Sequence, residues 1–380
     1  MVYTQFMVEG YKRLRSVNLP LRDLTVFVGP NGAGKSALLE CMELVARSAD
    51  RQLTSALVDL GGIAAVRTRS QEARPEALRL RGWFLDTPPG AYDLEVVVRA
   101  EGHGIQSEYL GTASSDSGVA PLIVRRPGQP VTAQDPRLEG EPPTPLTYDG
   151  AETLLSQLPE QYRTCEALRR VFASLRTYRP ADAGPGAAIR LPQQLRPASL
   201  PHPSGKDLAS ALHQKRAGDR WMYDRLEGVL RTAYPGFEGL EMPLVAAGVA
   251  MLTWRERGQV YYANELSEGT LRFMLLACAL LTTEPPAMLL IDEPEVSLHP
   301  ELIKILSDLL VDASARTQVI VATQSPELVS WLKPEQIVVL DLDDDGWCRA
   351  TPGSKMDLAS WLEDYTLGQL WTKGVIGGRP

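Results

Sequence analysis

Two adjacent carboxylates in the last third of the chain stand where acid–base or metal chemistry could take place. Asp292 and Glu293 directly follow a short apolar run, residues 288–291. The run is too short for a helix and predicts a buried strand, and open α/β sheets collect functional side chains at the carboxyl ends of their strands. Paired carboxylates at such a strand end are suited to metal binding and to catalysis. The pair therefore predicts a catalytic site.

A phosphate-binding loop is predicted near the amino terminus. A segment there matches G-x-x-x-x-G-K-[ST] between an apolar strand, residues 24–28, and a helix, as this motif requires. The loop consists of Gly29, Pro30, Asn31, Gly32, Ala33, Gly34, Lys35 and Ser36. Its glycines allow backbone N–H groups to surround phosphates. Lys35 would contact the β- and γ-phosphates, and the Ser36 hydroxyl would ligate Mg²⁺. We therefore expect ATP with Mg²⁺ as the ligand.

Two further polar segments lie at the ends of predicted elements, where a nucleotide could be contacted. Ser267 occupies the predicted N-cap of an apolar helix, and Gly269 follows two residues later. The amino end of a helix presents free backbone N–H groups to an anion. Gln324 belongs to a Thr-Gln-Ser segment that follows another predicted buried strand, residues 319–322. Each segment could thus contribute to a nucleotide site.

The elements that must position these residues alternate between strands and helices. Strands are predicted at residues 3–8, 16–21, 24–28, 82–85, 92–98, 288–291, 319–322 and 336–341, with a hairpin over 248–263. Helices are predicted at residues 37–48, 154–175, 206–234, 273–281, 303–310 and 358–365, and an irregular loop at 121–145. We expect one composite α/β domain, with nucleotide-binding lobes at residues 1–110 and 241–380. A Pro-rich, basic helical insertion would lie between them at residues 111–240.

Charge is unevenly distributed along the chain. The sequence has 39 Lys and Arg against 47 Asp and Glu, a net charge of −8, which disfavours a binder that depends on overall positive charge. Residues 151–232 nevertheless hold about 13 basic and 8 acidic residues, against about 8 and 18 in residues 265–380. The basic helices form either a DNA-facing patch or a solvated surface whose Arg stems cover the core.

Other metal sites and a membrane location are disfavoured. The four cysteines, Cys41, Cys165, Cys278 and Cys348, have neither disulfide nor zinc spacing, and Cys41 and Cys278 are expected to be buried thiols. The acidic segment 341–346 begins like a calcium-binding loop, but its twelfth position lacks the required Glu, so a hairpin turn is predicted. No signal sequence or bilayer-length apolar run occurs, and we expect a cytoplasmic protein.

The order of these motifs resembles the ABC-type ATPases, in particular the RecF/SMC-like branch. That branch includes the ATPase domains of OLD-family proteins and stand-alone proteins labelled "AAA family ATPase", often linked to phage defence. The resemblance rests on the phosphate loop, the Leu-Ser-x-Gly segment, the strand into Asp-Glu, and the Ser-Leu-His-Pro and Thr-Gln-Ser segments. It covers residues 1–60 and 239–380 and is weak between them. It implies a P-loop NTPase fold with an ABC-type head, in which a mixed core sheet is flanked by an antiparallel sheet.

The resemblance also implies roles for individual residues. The phosphate loop would be the Walker A motif, Asp292 the Walker B ligand of Mg²⁺ and Glu293 the general base. Ser267 and Gly269 would belong to the signature motif, which in this family contacts the γ-phosphate bound by the opposite protomer. Residues 297–299 would form the D-loop along the dimer seam.

Two departures from the family pattern affect these expectations. Gln324 stands at the switch position, which is usually His; its amide can donate a hydrogen bond but cannot carry a proton, so slow hydrolysis is expected. The Q-loop glutamine cannot be placed, and Gln106 and Gln161 both remain candidates. Glu295 is expected to be a surface acid, and His299 is given no catalytic role.

These expectations describe an ATPase that forms a head-to-tail homodimer around two ATP molecules. Two functions remain open. The dimer would work on DNA, contacted through residues 151–232, or with a separately encoded effector such as a nuclease in DNA repair or phage defence. Alternatively, it would be an ATP-gated scaffold or sensor that sequesters a partner protein or toxin. A membrane-transporter motor is disfavoured because the wide insertion replaces a compact coupling lobe.

Overall fold

The computed structural model describes residues 2–69, 77–86, 90–99, 104–114, 118–134 and 147–377. In the amino-terminal part the elements are β1 (Val2–Tyr11), β2 (Leu14–Pro20), β3 (Leu24–Val28), α1 (Lys35–Ser48), α2 (Leu53–Asp59), α3 (Ile63–Val66), β4 (Ala77–Asp86), β5 (Gly90–Arg99), β6 (Ile105–Ser114), β7 (Gly118–Arg125) and β8 (Thr132–Ala133). The middle part contains α4 (Arg163–Ser174), β9 (Arg176–Tyr178), β10 (Gln193–Gln194), α5 (Leu208–Gly218), α6 (Arg220–Ala233), β11 (Phe237–Glu241), β12 (Leu244–Ala246), β13 (Val249–Ala250), β14 (Thr253–Glu256) and β15 (Gln259–Tyr262). The remaining elements are α7 (Glu268–Leu280), β16 (Met288–Asp292), α8 (Pro300–Ser314), β17 (Gln318–Thr323), α9 (Pro326–Val329), β18 (Ile337–Leu342), β19 (Cys348–Pro352) and α10 (Leu367–Thr372).

A six-stranded core sheet carries the candidate site. Its strand order is β19-β18-β3-β17-β16-β9, parallel throughout except for β19. Successive residues of β17 point to opposite faces, so that Val319 and Val321 join one hydrophobic cluster while Ile320 and Ala322 join the other. A strand covered on both faces must be apolar throughout, which explains its continuous hydrophobic run.

The strand register brings the predicted site segments to one edge. Asp292, the last residue of β16, pairs with Ala322 of β17. Thr323, the last residue of β17, pairs with Val28 of β3. Because the strands are parallel, the segments that follow all three begin at the same carboxyl edge.

The predicted flanking antiparallel sheet is confirmed and is larger than expected. It has seven strands in the order β2-β1-β4-β5-β6-β7-β8. Helix α1 shares a hydrophobic cluster with this sheet and with one face of the core sheet. Residues 121–125, predicted to be irregular, belong to β7 because Leu122 and Ile123 are buried in that cluster. Residues 135–145 of the predicted loop lie outside the described residues.

The predicted helix over residues 154–175 begins only at Arg163. The backbone N–H groups of Leu154 and Leu155 donate to the buried carboxylate of Glu108, at 2.6 and 3.0 Å. Pro159 follows and lacks the N–H that a helix interior needs. Tertiary hydrogen bonds therefore replace helical ones over the first part of the segment.

Two other predicted helices also differ from the structure. The helix over 206–234 is divided into α5 and α6 at Asp219, whose side chain accepts a hydrogen bond from the Met222 N–H and caps α6. In place of a helix near 358–365 there is a single 3₁₀ turn, Trp361–Glu363, and the helix α10 follows. Its start is fixed by a capping box between Thr366 and Gln369.

Both predicted hairpins are confirmed. β14 pairs with β15 in a three-stranded sheet with β11, beside a smaller sheet of β10, β13 and β12. β18 pairs with β19 across the acidic turn, where Asp343 accepts hydrogen bonds from the backbone N–H groups of Asp345 and Trp347. The acidic residues thus close a turn, as the sequence predicts.

The prediction of buried thiols is confirmed. Cys41 and Cys278 are buried free thiols, as are the other two cysteines. Over the described ranges no helix is both long and apolar enough to cross a bilayer.

Candidate active site

The phosphate loop joins β3 to α1 in a tight turn. Gly34 has φ 109°, in the left-handed region where glycine carries no steric penalty. The Lys35 ammonium lies across the loop and donates to the backbone carbonyls of Gly29, at 2.7 Å, and Pro30, at 3.0 Å. Burial lowers the pKa of Lys35, and the nearby Glu293 carboxylate opposes this shift. The loop therefore has the conformation that surrounds phosphates, and the Lys35 ammonium lies within it.

Ser36 and Asp292, predicted as metal ligands, are in direct contact. The Ser36 hydroxyl donates to Asp292 Oδ1 at 3.0 Å, although the two residues are far apart in sequence. Burial raises the pKa of Asp292, and the hydrogen bond from Ser36 acts against that rise. Adjacent hydroxyl and carboxylate oxygens fit Mg²⁺, which completes its octahedral shell with water and phosphate oxygens. Within the described residues no cluster of three or more His, Cys, Asp or Glu could hold a metal by itself.

The predicted base and the predicted switch residue also meet. The Gln324 side-chain amide donates to Glu293 Oε1 at 3.1 Å. Glu293 has φ 45°, an unfavourable conformation for a residue with a side chain, and its N–H donates to the Ala322 carbonyl at 2.8 Å. The hydrogen bond to β17 therefore holds a strained backbone that fixes where the carboxylate lies.

Glu295 is not the surface acid that the sequence predicts. Its Oε1 accepts hydrogen bonds from the Thr323 hydroxyl, at 2.7 Å, and from the Gln324 backbone N–H, at 3.0 Å. Its Oε2 is buried and has no partner among the described residues. Burial raises the pKa of the Glu295 carboxyl. This contact depends on the strand order, which no local sequence pattern records. Polar residues that follow two adjacent parallel strands lie at the same edge of the sheet and can contact each other.

The signature segment is joined to the D-loop. The Ser267 hydroxyl caps α7 by accepting from the Thr270 N–H at 3.0 Å. A Cβ on Gly269 would stand 2.3 Å from the Ser297 carbonyl oxygen, so only glycine permits this approach. Arg272 donates to the Ser297 hydroxyl at 2.5 Å. The amino end of α7 and the D-loop therefore form one packed unit.

An open cleft of about 300 Å³ lies over the phosphate loop. It is lined by Lys12, Arg13, Asn31, Gly32, Gly34, Lys35, Ser36, Ala37, Glu40 and Glu293. Lys12 forms an ion pair with Glu40 at 2.5 Å, and the Tyr11 hydroxyl donates to the same carboxylate at 2.7 Å. Ser267 and Gly269 are not among the lining residues. The cleft thus brings the phosphate loop together with Glu293, and Asp292 contacts it through Ser36, whereas the predicted signature residues do not line it.

Comparison with known proteins places the fold that carries this site. Residues 1–99 match the family model "AAA ATPase domain", and residues 159–330 match "AAA domain, putative AbiEii toxin, Type IV TA system". An SMC head solved in complex with the C-winged helix domain of ScpA aligns with 93% of this chain and 99% of its own, at 13% identity and a TM-score of 0.61. This chain has the fold of an SMC-type ATPase head.

Further SMC heads agree. A Pyrococcus furiosus head with an extended coiled coil, bound to the C-terminal domain of ScpA, covers 95% of this chain and 98% of its own, at 11% identity and a TM-score of 0.58. The Thermotoga maritima head covers 93% and 99%, at 14% identity and a TM-score of 0.51. No curated protein matches the sequence significantly. At these identities the structural likeness establishes the fold of the SMC-type head alone.

Neither Q-loop candidate lines the cleft over the phosphate loop. Gln106 is on β6 of the flanking sheet, and Gln161 is exposed ahead of α4. β9, the parallel neighbour of β16, ends at Tyr178 and is followed by Arg179. Arg179 pairs with Glu43 of α1 at 2.6 Å, and its charge opposes the rise in the Asp292 pKa. An arginine therefore occupies the end of the strand beside Walker B.

Proposed function

We propose that this protein binds ATP with Mg²⁺ and hydrolyses it, and that two copies close around two ATP molecules. The observation that carries the proposal is the pair of contacts Ser36–Asp292 and Gln324–Glu293 at one edge of the core sheet. They bring the metal ligands and the base to the side of the phosphate loop. The two AAA family matches support the same assignment.

The chain's own residues account for binding and for activation of water. Lys35 would exchange its contacts with the Gly29 and Pro30 carbonyls for phosphate oxygens. Ser36 and Asp292 would hold Mg²⁺, which supplies neutralising charge to the phosphates. The Glu293 carboxylate would accept a proton from the attacking water, while the Gln324 amide holds that carboxylate in place. Gln324 cannot take the proton itself, so we infer slow turnover.

The position of the predicted signature supports the proposed dimer. Ser267 and Gly269 lie at the amino end of α7 and outside the cleft of their own subunit. A helix amino end is suited to bind the γ-phosphate held by a second copy. ATP would therefore join the two subunits, and hydrolysis would release them.

The test is the oligomeric state of Glu293→Gln, which should bind ATP and hydrolyse it poorly. With Mg²⁺ and ATP the variant should elute as a dimer on a sizing column, and without ATP as a monomer. The matched control is Glu293→Gln combined with Ser267→Arg, which keeps its own cleft and should bind ATP as a monomer. If Glu293→Gln elutes identically with and without ATP, the dimer proposal is wrong.

We infer what this ATPase acts on from the ion pairs of its basic region. Many basic residues of the 151–232 region are paired with acidic residues, which lowers the net positive charge that the region presents to DNA phosphates. The pairs are Arg169 and Arg170 with Glu166, Lys215 with Asp219, Arg220 with Asp224, Arg225 with Asp312, and Arg231 with Glu227. We therefore propose that the dimer works with a separate effector protein, such as a nuclease, in phage defence or DNA repair. The match of residues 159–330 to the model described as a putative AbiEii toxin of a type IV toxin–antitoxin system supports a defence role.

The second candidate function is an ATP-gated scaffold that sequesters a partner protein or toxin. The same ion pairs favour it over direct action on DNA, and a related head is bound to a protein domain in its crystal. ATP turnover with and without duplex DNA at low salt separates the two. Stimulation by DNA in the presence of the effector supports the first function, because the ion pairs of this chain leave the DNA contact to that effector. Tight, ATP-dependent capture of a neighbouring gene's product without any DNA effect supports the second.

A further inference from the structure

Gln324 is held at two points by two different carboxylates. Its side-chain amide donates to Glu293, and its backbone N–H donates to Glu295 at 3.0 Å. The two acids are separated only by Pro294, whose ring fixes its φ and limits their relative movement. The backbone of Gln324 is therefore anchored to the same short segment that carries the base.

The hydroxyl of Thr323 completes this anchor. It accepts a hydrogen bond from the Ser325 N–H at 3.0 Å, so its own proton is directed to Glu295 Oε1 at 2.7 Å. Thr323 is fully buried, which prevents water from substituting for either partner. One carboxylate oxygen thus receives two donors from consecutive residues, the last of β17 and the first of the turn that follows it.

We propose that Glu295 is a positioning residue for ATP hydrolysis: it fixes the turn after β17 so that the Gln324 amide reaches and orients the Glu293 carboxylate. Glu295 does not touch the reacting atoms and acts through Gln324. The inference rests on the proposed ATPase function. Removing a residue that orients a catalytic group without touching the substrate commonly lowers activity about 10- to 100-fold.

A purely structural role for Glu295 predicts different behaviour. Loss of a buried acceptor would lower stability and affect every activity of the folded protein alike. A positioning role predicts a lower kcat with little change in the KM for ATP, because Lys35 and Ser36 still bind the nucleotide. It also predicts that Glu295 matters only while Gln324 is present.

The experiment compares Glu295→Ala, Glu295→Gln, Gln324→Ala and the double alanine variant. Glu295→Ala should lower kcat about 10- to 100-fold and change KM less than about twofold. Glu295→Gln retains an acceptor oxygen for both donors and should recover most of the lost rate. In the Gln324→Ala background, Glu295→Ala should cost less than about twofold more. Glu335→Ala, which removes an exposed acid ahead of β18 at the opposite edge of the core sheet, is the control and should keep the wild-type rate.

A measurement without nucleotide makes the inference independent of turnover. Amide hydrogen exchange at Gln324 should accelerate in Glu295→Ala and stay slow in Glu295→Gln, because its N–H donates to this side chain. Wild-type kcat in Glu295→Ala, or losses that multiply in the double variant, would overturn the positioning role. If the wild-type protein does not hydrolyse ATP at all, the proposed function fails, and unchanged exchange at Gln324 would separately refute the anchor.

Discussion

Two glutamates in different regions of the molecule, the buried Glu108 and the half-buried Glu295, have their carboxylates held by backbone N–H groups in different ways. Glu108 lies in the flanking antiparallel sheet, and each of its oxygens accepts one backbone N–H, from Leu154 and from Leu155. Glu295 lies at the edge of the core sheet, where one oxygen accepts both donors and the other has no partner among the described residues. Burial raises the pKa of both carboxyls. Only Glu108 has its hydrogen-bonding capacity matched to its surroundings.

The difference separates a structural role from a functional one. Burying an unpaired carboxylate oxygen is unfavourable, so it persists only where the surrounding structure imposes it. Each carboxylate oxygen of Glu108 has a hydrogen-bond donor, and these bonds hold the segment ahead of α4 against the flanking sheet. Around Glu295 the constraint comes from Gln324 and Glu293, whose strained backbone already marks the site. We therefore expect substitutions in the two regions to affect different measurements.

The largest effect should come from the base beside Glu295. Glu293→Gln removes the proton acceptor while keeping shape, so kcat should fall about 10²- to 10⁴-fold with ATP affinity retained. Steady-state phosphate release and fluorescent-nucleotide binding measure the two quantities. Glu108→Gln, a matched change in the flanking sheet, should leave kcat unaltered. Equal losses of kcat in the two variants would erase the distinction between the regions.

Removing the anchor of the flanking sheet should destabilise the protein without affecting chemistry. Glu108→Ala leaves two buried N–H groups without an acceptor, at roughly 1–3 kcal/mol each, so the free energy of unfolding should fall by roughly 2–6 kcal/mol. Denaturant titration measures this change, and kcat per folded molecule should stay at the wild-type level. A stable Glu108→Ala variant with impaired turnover would contradict the assignment.

The same contrast shows what the sequence could and could not predict. The phosphate loop, Asp292 and Glu293 were found because glycine spacing and apolar strands are local patterns, and their context in the structure matches. The contacts of Glu295 and of the segment ahead of α4 were not predicted, because the residues that form these hydrogen bonds are distant in sequence. No local pattern records that Thr323 and Glu295 face each other, or that Glu108 binds the N–H groups of Leu154. Strand order decides both contacts.

A smaller effect should follow from replacing the switch residue. Gln324→Ala removes the amide that orients Glu293, and kcat should fall about 10- to 100-fold, less than for loss of the base itself. Gln324→His restores a ring N–H donor and should retain more activity than the alanine variant. Phosphate release at saturating ATP measures both. A Gln324→Ala rate equal to that of Glu293→Gln would show that Gln324 does more than orient the base.

The smallest effect should be a pH dependence of stability that belongs to Glu108. Burial raises the pKa of this carboxyl from 4.5 to about 7, against the opposing effects of the Leu155 and Leu154 N–H groups and of Arg125. The folded protein therefore binds more protons than the unfolded chain between about pH 4.5 and 7. The stabilisation from a protonated Glu108 is fully present below pH 4.5 and is lost as the pH rises toward about 7.

Glu108→Gln cannot titrate and isolates this contribution from those of Asp292 and Glu295, whose pKa values are also raised by burial. The wild-type free energy of unfolding, measured relative to Glu108→Gln by denaturant titration, should decline from pH 5 to pH 8 and then level off. Parallel stability curves for the two proteins would show that Glu108 stays ionised in the fold. Its two N–H donors would then outweigh burial, and the partnered acid would be a charged anchor rather than a protonated one.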